Sequence, residues 1–463
     1  MLKGQIILLK KEITNIFYRL KQQGSFTRNF SYLFSGRIIT TLLSFAITPI
    51  LTRLYAPDAY GYFAFFNAIA MNFMVISSLS YENTLVIAED KEKFKNLLIG
   101  CLLLTTISGV ILTGGLGLVV FYPGLKEMLS ITAQLDIRFL LFIVAGALLF
   151  SYAQILAKWN VRLGQFKFAS RVWLFSQVTN RSVSLGLGFF SAPPYGLIVA
   201  ENLGKIVSLT SNLAKNLSGN KQKIFTGVTL KSIYQTLWSY KNYPRFVLPS
   251  RYLGTLINQL PIFFIAFYFG KELTGNFALT ISIVNLPVLL IANTLSSIFL
   301  KKCADLSKDK FALLQFIKRG AKLLAVICLP YYLFLILFAY HLFPFAFGAN
   351  WQVAGEMAMI LATFTIVQVF QVFAVPIFQV FNVERRIFSI NFGQLIFSLI
   401  ACIPGIIMSN YLLMIGAIGL IQYIFGWYRV SAALKILNGN IYKLISFISV
   451  LLLLTLSLKL IFS

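Results

Sequence analysis

The chain has 463 residues, 58% of them hydrophobic and 12% charged, with a mean hydropathy of +0.80 and a formal net charge of +26. Such values exclude a soluble globular domain and read as an all-α polytopic membrane protein. The positive charge has anionic lipid as its natural partner, so nucleic acid is not required.

Residues 1–28 carry Lys3, Lys10, Lys11, Arg19, Lys21 and Arg28 among Ile, Leu and Phe at roughly helical spacing. They lack an uninterrupted apolar core, which predicts a cytoplasmic amphipathic segment on the membrane surface rather than a secretory signal. Twelve apolar stretches long enough to cross a bilayer follow, at 29–54, 59–87, 97–122, 137–157, 173–191, 196–214, 246–269, 275–299, 323–343, 355–380, 388–408 and 414–428. A thirteenth, at 444–463, ends the chain. With the N-terminus cytoplasmic, the predicted inner segments hold 31 of the 40 Lys and Arg and the predicted outer ones five, which fixes the expected orientation.

An internal repeat appears at an offset of 214 residues. Gly61-Tyr62-Phe63-Ala64 opens the second span and Gly275-Asn276-Phe277-Ala278 the eighth, and the same offset carries Arg37 onto Arg251, Thr41 onto Thr255 and Leu42 onto Leu256. Two six-helix lobes are therefore expected, 29–214 and 246–437, related by a pseudo-two-fold axis along the membrane normal with a cavity between them. A basic cytoplasmic linker, 215–245, joins the lobes, and 438–463 forms an extra C-terminal hydrophobic segment.

Apart from Arg53, Arg138 and Lys459, counted with the outer segments, four basic residues fall inside predicted spans: Arg37, Arg181, Lys205 and Arg251. Each costs about 2.5–3.5 kcal/mol at a helix centre, so a set of four points to a polar cavity and an anionic ligand. Arg37 and Arg251, mates in the repeat, form the expected anion clamp. Glu201, four residues before Lys205, shares its helix face, and Glu82 lies near the inner end of the second span. These two acids are the candidates for ion coupling. Asn83, Asn180, Asn258 and Gln259 are candidate contacts for a sugar, although amides at membrane depth also join helices to one another. Cys101, Cys303, Cys328 and Cys402 are too scattered to suggest a metal site or disulfide framework, and no P-loop is present. No catalytic residue or cofactor is expected.

The stretch SGRIITTLLSFAITPILTRLYAPDAYGYFA, Ser35 to Ala64, resembles the opening spans of polysaccharide-exporting flippases of the multidrug/oligosaccharidyl-lipid/polysaccharide superfamily, the group that includes Wzx-type O-antigen flippases. YENTLVIAEDKEK and PPYGLIVAENLGK are similar to that family as well. The resemblance implies a twelve-helix, two-lobed transporter of the bacterial inner membrane. Its substrate would be an undecaprenyl-diphosphate-linked oligosaccharide, moved to the periplasmic leaflet by alternating access on a proton or Na+ gradient, for O-antigen or a related surface polysaccharide. It also implies a cationic cavity, here Arg37, Arg181, Lys205 and Arg251, and a polysaccharide polymerase and chain-length regulator as candidate partners besides membrane lipids. The competing readings are a multidrug exporter of the same superfamily, which would favour acidic cavity residues, and an integral-membrane polysaccharide polymerase, which would need a large outer loop.

Overall fold

The computed structural model describes residues 26–121, 137–190, 194–217, 227–381, 383–440 and 442–462. The predicted surface segment at 1–28 lies almost wholly outside them. Every described element is helical. The first group comprises α1 (Phe26–Leu54), α2 (Pro57–Ile76), α3 (Lys91–Phe121), α4 (Ile137–Arg162), α5 (Phe166–Phe190) and α6 (Gly196–Leu217). A short helix, α7 (Leu230–Ser239), and a π-helical turn (Tyr243–Val247) lead into the second group. That group contains α8 (Leu248–Tyr268), α9 (Gly270–Val284), α10 (Leu286–Asp305), α11 (Lys310–Phe347), α12 (Gln352–Val380), α13 (Glu384–Ile407) and α14 (Tyr411–Ile436). Seven of the described helices are long and apolar enough to cross a membrane by length and composition.

Each group has its own core. Three clusters between Leu51 and Ile198 fill the first, while one continuous cluster from Leu260 to Leu452 fills the second. The C-terminal helix α15 (Tyr442–Phe462) belongs to the larger core: it packs on α11 and α12 and buries Ile448 and Leu452.

Two predicted spans are interrupted. The eighth breaks at Asn285 into α9 and α10. Pro287 has no N–H to offer the carbonyl of Ile283 four residues back, and the Tyr331 hydroxyl on α11 donates to that carbonyl instead, at 2.6 Å. The second span, expected to run to residue 87, stops as an α-helix at Ile76. Leu79 and Ser80 follow in the left-handed region, with φ of 53° and 63°, before a 3-10 helix, Tyr81–Val86. A non-glycine residue there is strained by about 1–2 kcal/mol, so the turn is held by its surroundings, the site described below.

The groups meet along α2, α8 and α9. Near the start of α2, a Cβ built on Gly61 would lie 1.9 Å from the Lys271 carbonyl oxygen, and one built on Gly275 would lie 1.8 Å from that of Pro57. The contact is reciprocal at the repeat offset, since residue 57 stands to 61 as 271 stands to 275. Only glycine permits backbones this close. Asp58 and Lys271 pair beside it at 3.2 Å, Trp351 Nε1 donates to the Thr52 carbonyl at 2.9 Å, and Arg53 Nη2 donates to the Phe345 carbonyl at 3.0 Å. The groups are thus clasped at the end opposite the basic loops.

Candidate functional site

At the basic end a different bond joins the groups. Glu82, in the 3-10 helix after α2, is 1% exposed and receives four donors. Ser78 Oγ donates to Oε2 at 2.6 Å, whereas Asn83 Nδ2 (3.1 Å), Gln154 Nε2 of α4 (3.2 Å) and Arg251 Nη1 of α8 (2.6 Å) converge on Oε1. Arg251 Nη1 also reaches Ser80 Oγ at 3.1 Å, which is what the strained turn at Leu79 and Ser80 makes possible. All four partners donate, as suits a carboxylate, an acceptor-only group. The first three donors belong to the first helix group and the fourth to the second. Glu82 is the socket for a cation that arrives from across the interface.

A second polar cluster lies within the first group. Glu201 Oε1 pairs with Lys205 at 3.0 Å, and Asn180 Nδ2 of α5 donates to its other oxygen at 2.5 Å. Lys205 Nζ also stands 4.2 Å over the Phe150 ring. Arg181, on the same helix as Asn180, donates through Nε to Ser44 Oγ of α1 at 3.3 Å. No carboxylate lies within ion-pair distance of Arg181 among the described residues. Arg37 lies on α1 seven residues, about two helical turns, before Ser44. Its side chain falls outside the described residues.

The predicted pairing of Glu201 with Lys205 is present, and Asn83 and Asn180 each donate to one of the two acids, Glu82 and Glu201. Arg251, expected with Arg37 to form an anion clamp, is bound to Glu82. Glu82 and Glu201 neutralise Arg251 and Lys205, and among the described residues Arg181 has no carboxylate within ion-pair distance. Asn258 is exposed on α8 with no side-chain bond among the described residues, and Gln259 Nε2 touches Met71 Sδ at 3.4 Å; neither joins either cluster.

One buried cation escapes the sequence reading. Arg429 was expected just beyond the twelfth span, yet α14 continues to Ile436 and carries it inside the second core. Its Nη2 donates to Asn391 Oδ1 and Gln394 Oε1, both at 2.9 Å, and its Nη1 to Gln371 Oε1. A guanidinium only donates, so each amide must turn its oxygen inward and its NH2 outward. The legible signal is the apolar rhythm that continues through Val430, Ala433 and Leu434. Gln154, Ser78 and Ser80 escape too, because nothing in their local sequence announces that a turn gathers them.

Comparison with known proteins adds the following. The polysaccharide biosynthesis protein family matches residues 50–356. Among curated proteins none matches the sequence. Of solved structures, the lipid II flippase MurJ in an inward closed conformation is similar over 91% of this chain and 91% of its own, with a TM-score of 0.69 at 15% identity. An inward-facing multidrug resistance MATE family transporter of the MOP superfamily is similar over 91% and 98%, with a TM-score of 0.61 at 15% identity. A MOP superfamily transporter from Pyrococcus furiosus, described as having a binding pocket of reverse polarity, covers 89% and 96% with a TM-score of 0.58 at 16% identity. At these identities the likeness is one of fold.

Proposed function

From the premise that this chain belongs to the polysaccharide biosynthesis protein family, we propose that it is a flippase for lipid-linked oligosaccharide. Its substrate is an undecaprenyl-diphosphate-linked repeat unit of O-antigen or a related surface polysaccharide. It moves from the cytoplasmic to the periplasmic leaflet of the bacterial inner membrane. The observation that carries the reading is the ion pair from Arg251 to Glu82, a cation of one helix group held by a buried acid of the other at the basic end.

A diphosphate offers several anionic oxygens to a fork-shaped donor. Entering from the basic end, taken as cytoplasmic from the Lys and Arg distribution, it competes with Glu82 for Arg251 and meets Arg181, which has no carboxylate partner among the described residues, with Arg37 of α1 as a further candidate. Glu82, once released, takes up a proton or Na+, and the bond joining the two groups at that end is lost. Closure at one end and opening at the other then follow from unequal affinity for the two states, the only means by which a ligand can shift them. Glu201, paired with Lys205, is the second candidate for ion coupling. The sugars occupy the space between the groups, with Asn258 as an available contact, while the prenyl chain remains in lipid. The charge balance disfavours export of cationic drugs, which would call for net acid.

The test is made in cells that depend on this protein for surface glycan. Arg181→Ala and Arg251→Ala should each abolish surface glycan and leave lipid-linked intermediates accessible only on the cytoplasmic side, with the protein still inserted. Normal surface glycan in both variants refutes the proposal.

A further inference from the structure

The helix between the two groups, α7, has two faces with different tasks. Thr229 and Ser232 form a reciprocal capping box that starts it. Ile233 and Leu237 then pack toward Gly100 of α3, where a built Cβ would meet them at 3.2 and 3.3 Å. Asn96 on the same helix donates to Thr236 Oγ1 at 3.1 Å and accepts from Ser232 Oγ at 3.2 Å. One face is therefore fastened to the first group.

The other face covers nothing among the described residues. Leu230, Tyr234 and Trp238, at i, i+4 and i+8, are 79%, 65% and 58% exposed. The two rings stack at 6.1 Å, and Lys241 Nζ stands 4.9 Å over the indole. Phe246, in the π-helical turn, is also exposed, with the Arg245 guanidinium 5.2 Å from its ring. From residue 202 to 271 the chain contains no Asp or Glu, while Lys231, Lys241 and Arg245 flank this stripe.

A helix of ten residues is about 15 Å long and cannot cross a hydrocarbon core of about 30 Å. Its ends join α6 and α8, so it lies at one membrane face. Aromatic rings with basic neighbours are the composition of a helix lying in the interface, apolar side toward acyl chains and cations among anionic headgroups. We propose that α7 is an anchor for anionic phospholipid that holds the first helix group to the inner leaflet, leaving α8 and its Arg251 to move about the π-helical turn at 243–247. The proposal rests on this surface alone and is independent of what the protein transports.

The full-length protein is reconstituted into nanodiscs of phosphatidylcholine, with or without phosphatidylglycerol, containing lipid brominated just below the headgroup. The difference between the parent and Trp238→Phe isolates the emission of Trp238 from the other tryptophans. Its emission should be quenched by brominated lipid, and several-fold more strongly when phosphatidylglycerol is present, since each basic residue near an anionic surface contributes roughly a fivefold preference. The triple variant K231Q/K241Q/R245Q should lose the dependence on phosphatidylglycerol, with emission from the buried Trp351 unchanged as the check on folding. Quenching of Trp238 by aqueous iodide but not by brominated lipid would overturn the anchor and leave the stripe to a protein partner. Equal quenching in both lipids would overturn its preference for anionic headgroups.

Discussion

Arg251→Ala tests the bond between the groups at the basic end. The substitution removes a charge-assisted hydrogen bond of 2.6 Å and the 3.1 Å bond to Ser80, while Glu82 keeps Ser78, Asn83 and Gln154. Hydrogen bonds to charged groups contribute about 1.5–3 kcal/mol. Arg251 is 32% exposed, and solvent screening places its share near the lower end, about 2 kcal/mol. That corresponds to roughly a thirtyfold shift in the ratio of closed to open states at this end. Spin labels at the exposed positions Ile87 and Phe246 flank the pair, one on each side of the interface. Electron paramagnetic resonance distances between them should lengthen or broaden in Arg251→Ala and in Glu82→Gln, and the double variant should go little further than either single one. Unchanged distances in both single variants, or fully additive changes, would refute the latch.

Gly61→Ala or Gly275→Ala places a methyl group against a backbone carbonyl that cannot rotate away, and should cost about 3 kcal/mol, read as a lowered midpoint of thermal unfolding in detergent. Tyr331→Phe leaves the Ile283 carbonyl at the helix break without its donor, and a loss of about 1–3 kcal/mol is expected in the same assay. Glu201→Gln takes the carboxylate from Lys205 and Asn180, and transport should change its dependence on pH or sodium; an unaltered profile would remove Glu201 from ion coupling.

The helix order was readable because burial in lipid demands long apolar runs, and thirteen predicted stretches correspond in order to α1–α6 and α8–α15, with α9 and α10 sharing one. The matched glycines Gly61 and Gly275 were readable because a backbone contact this close admits only one residue type. What the sequence conceals is where chain direction changes without polar punctuation. SSLSYENTLV continues the apolar run of α2 closely enough to pass for helix, and only the left-handed Leu79 and Ser80 disclose the turn that seats Glu82. Charges could be counted but not partnered: four cations and two acids within the spans are legible, whereas the choice of Glu82 as the mate of Arg251 depends on contacts 169 residues apart. Arg429 was misplaced for a related reason, since a cation near a span end reads as a loop residue unless its three amide partners, from two other helices, are known.

The most direct measurement is binding of undecaprenyl-diphosphate-linked glycan to the purified full-length protein by native mass spectrometry, against the same glycan on a prenyl carrier without phosphate. The diphosphate form should bind selectively, and Arg181→Ala and Arg251→Ala should each weaken it about tenfold, the equivalent of one lost charge-assisted contact. Equal binding of the two carriers, or affinities unmoved by either substitution, would contradict the assignment of these arginines to a lipid diphosphate.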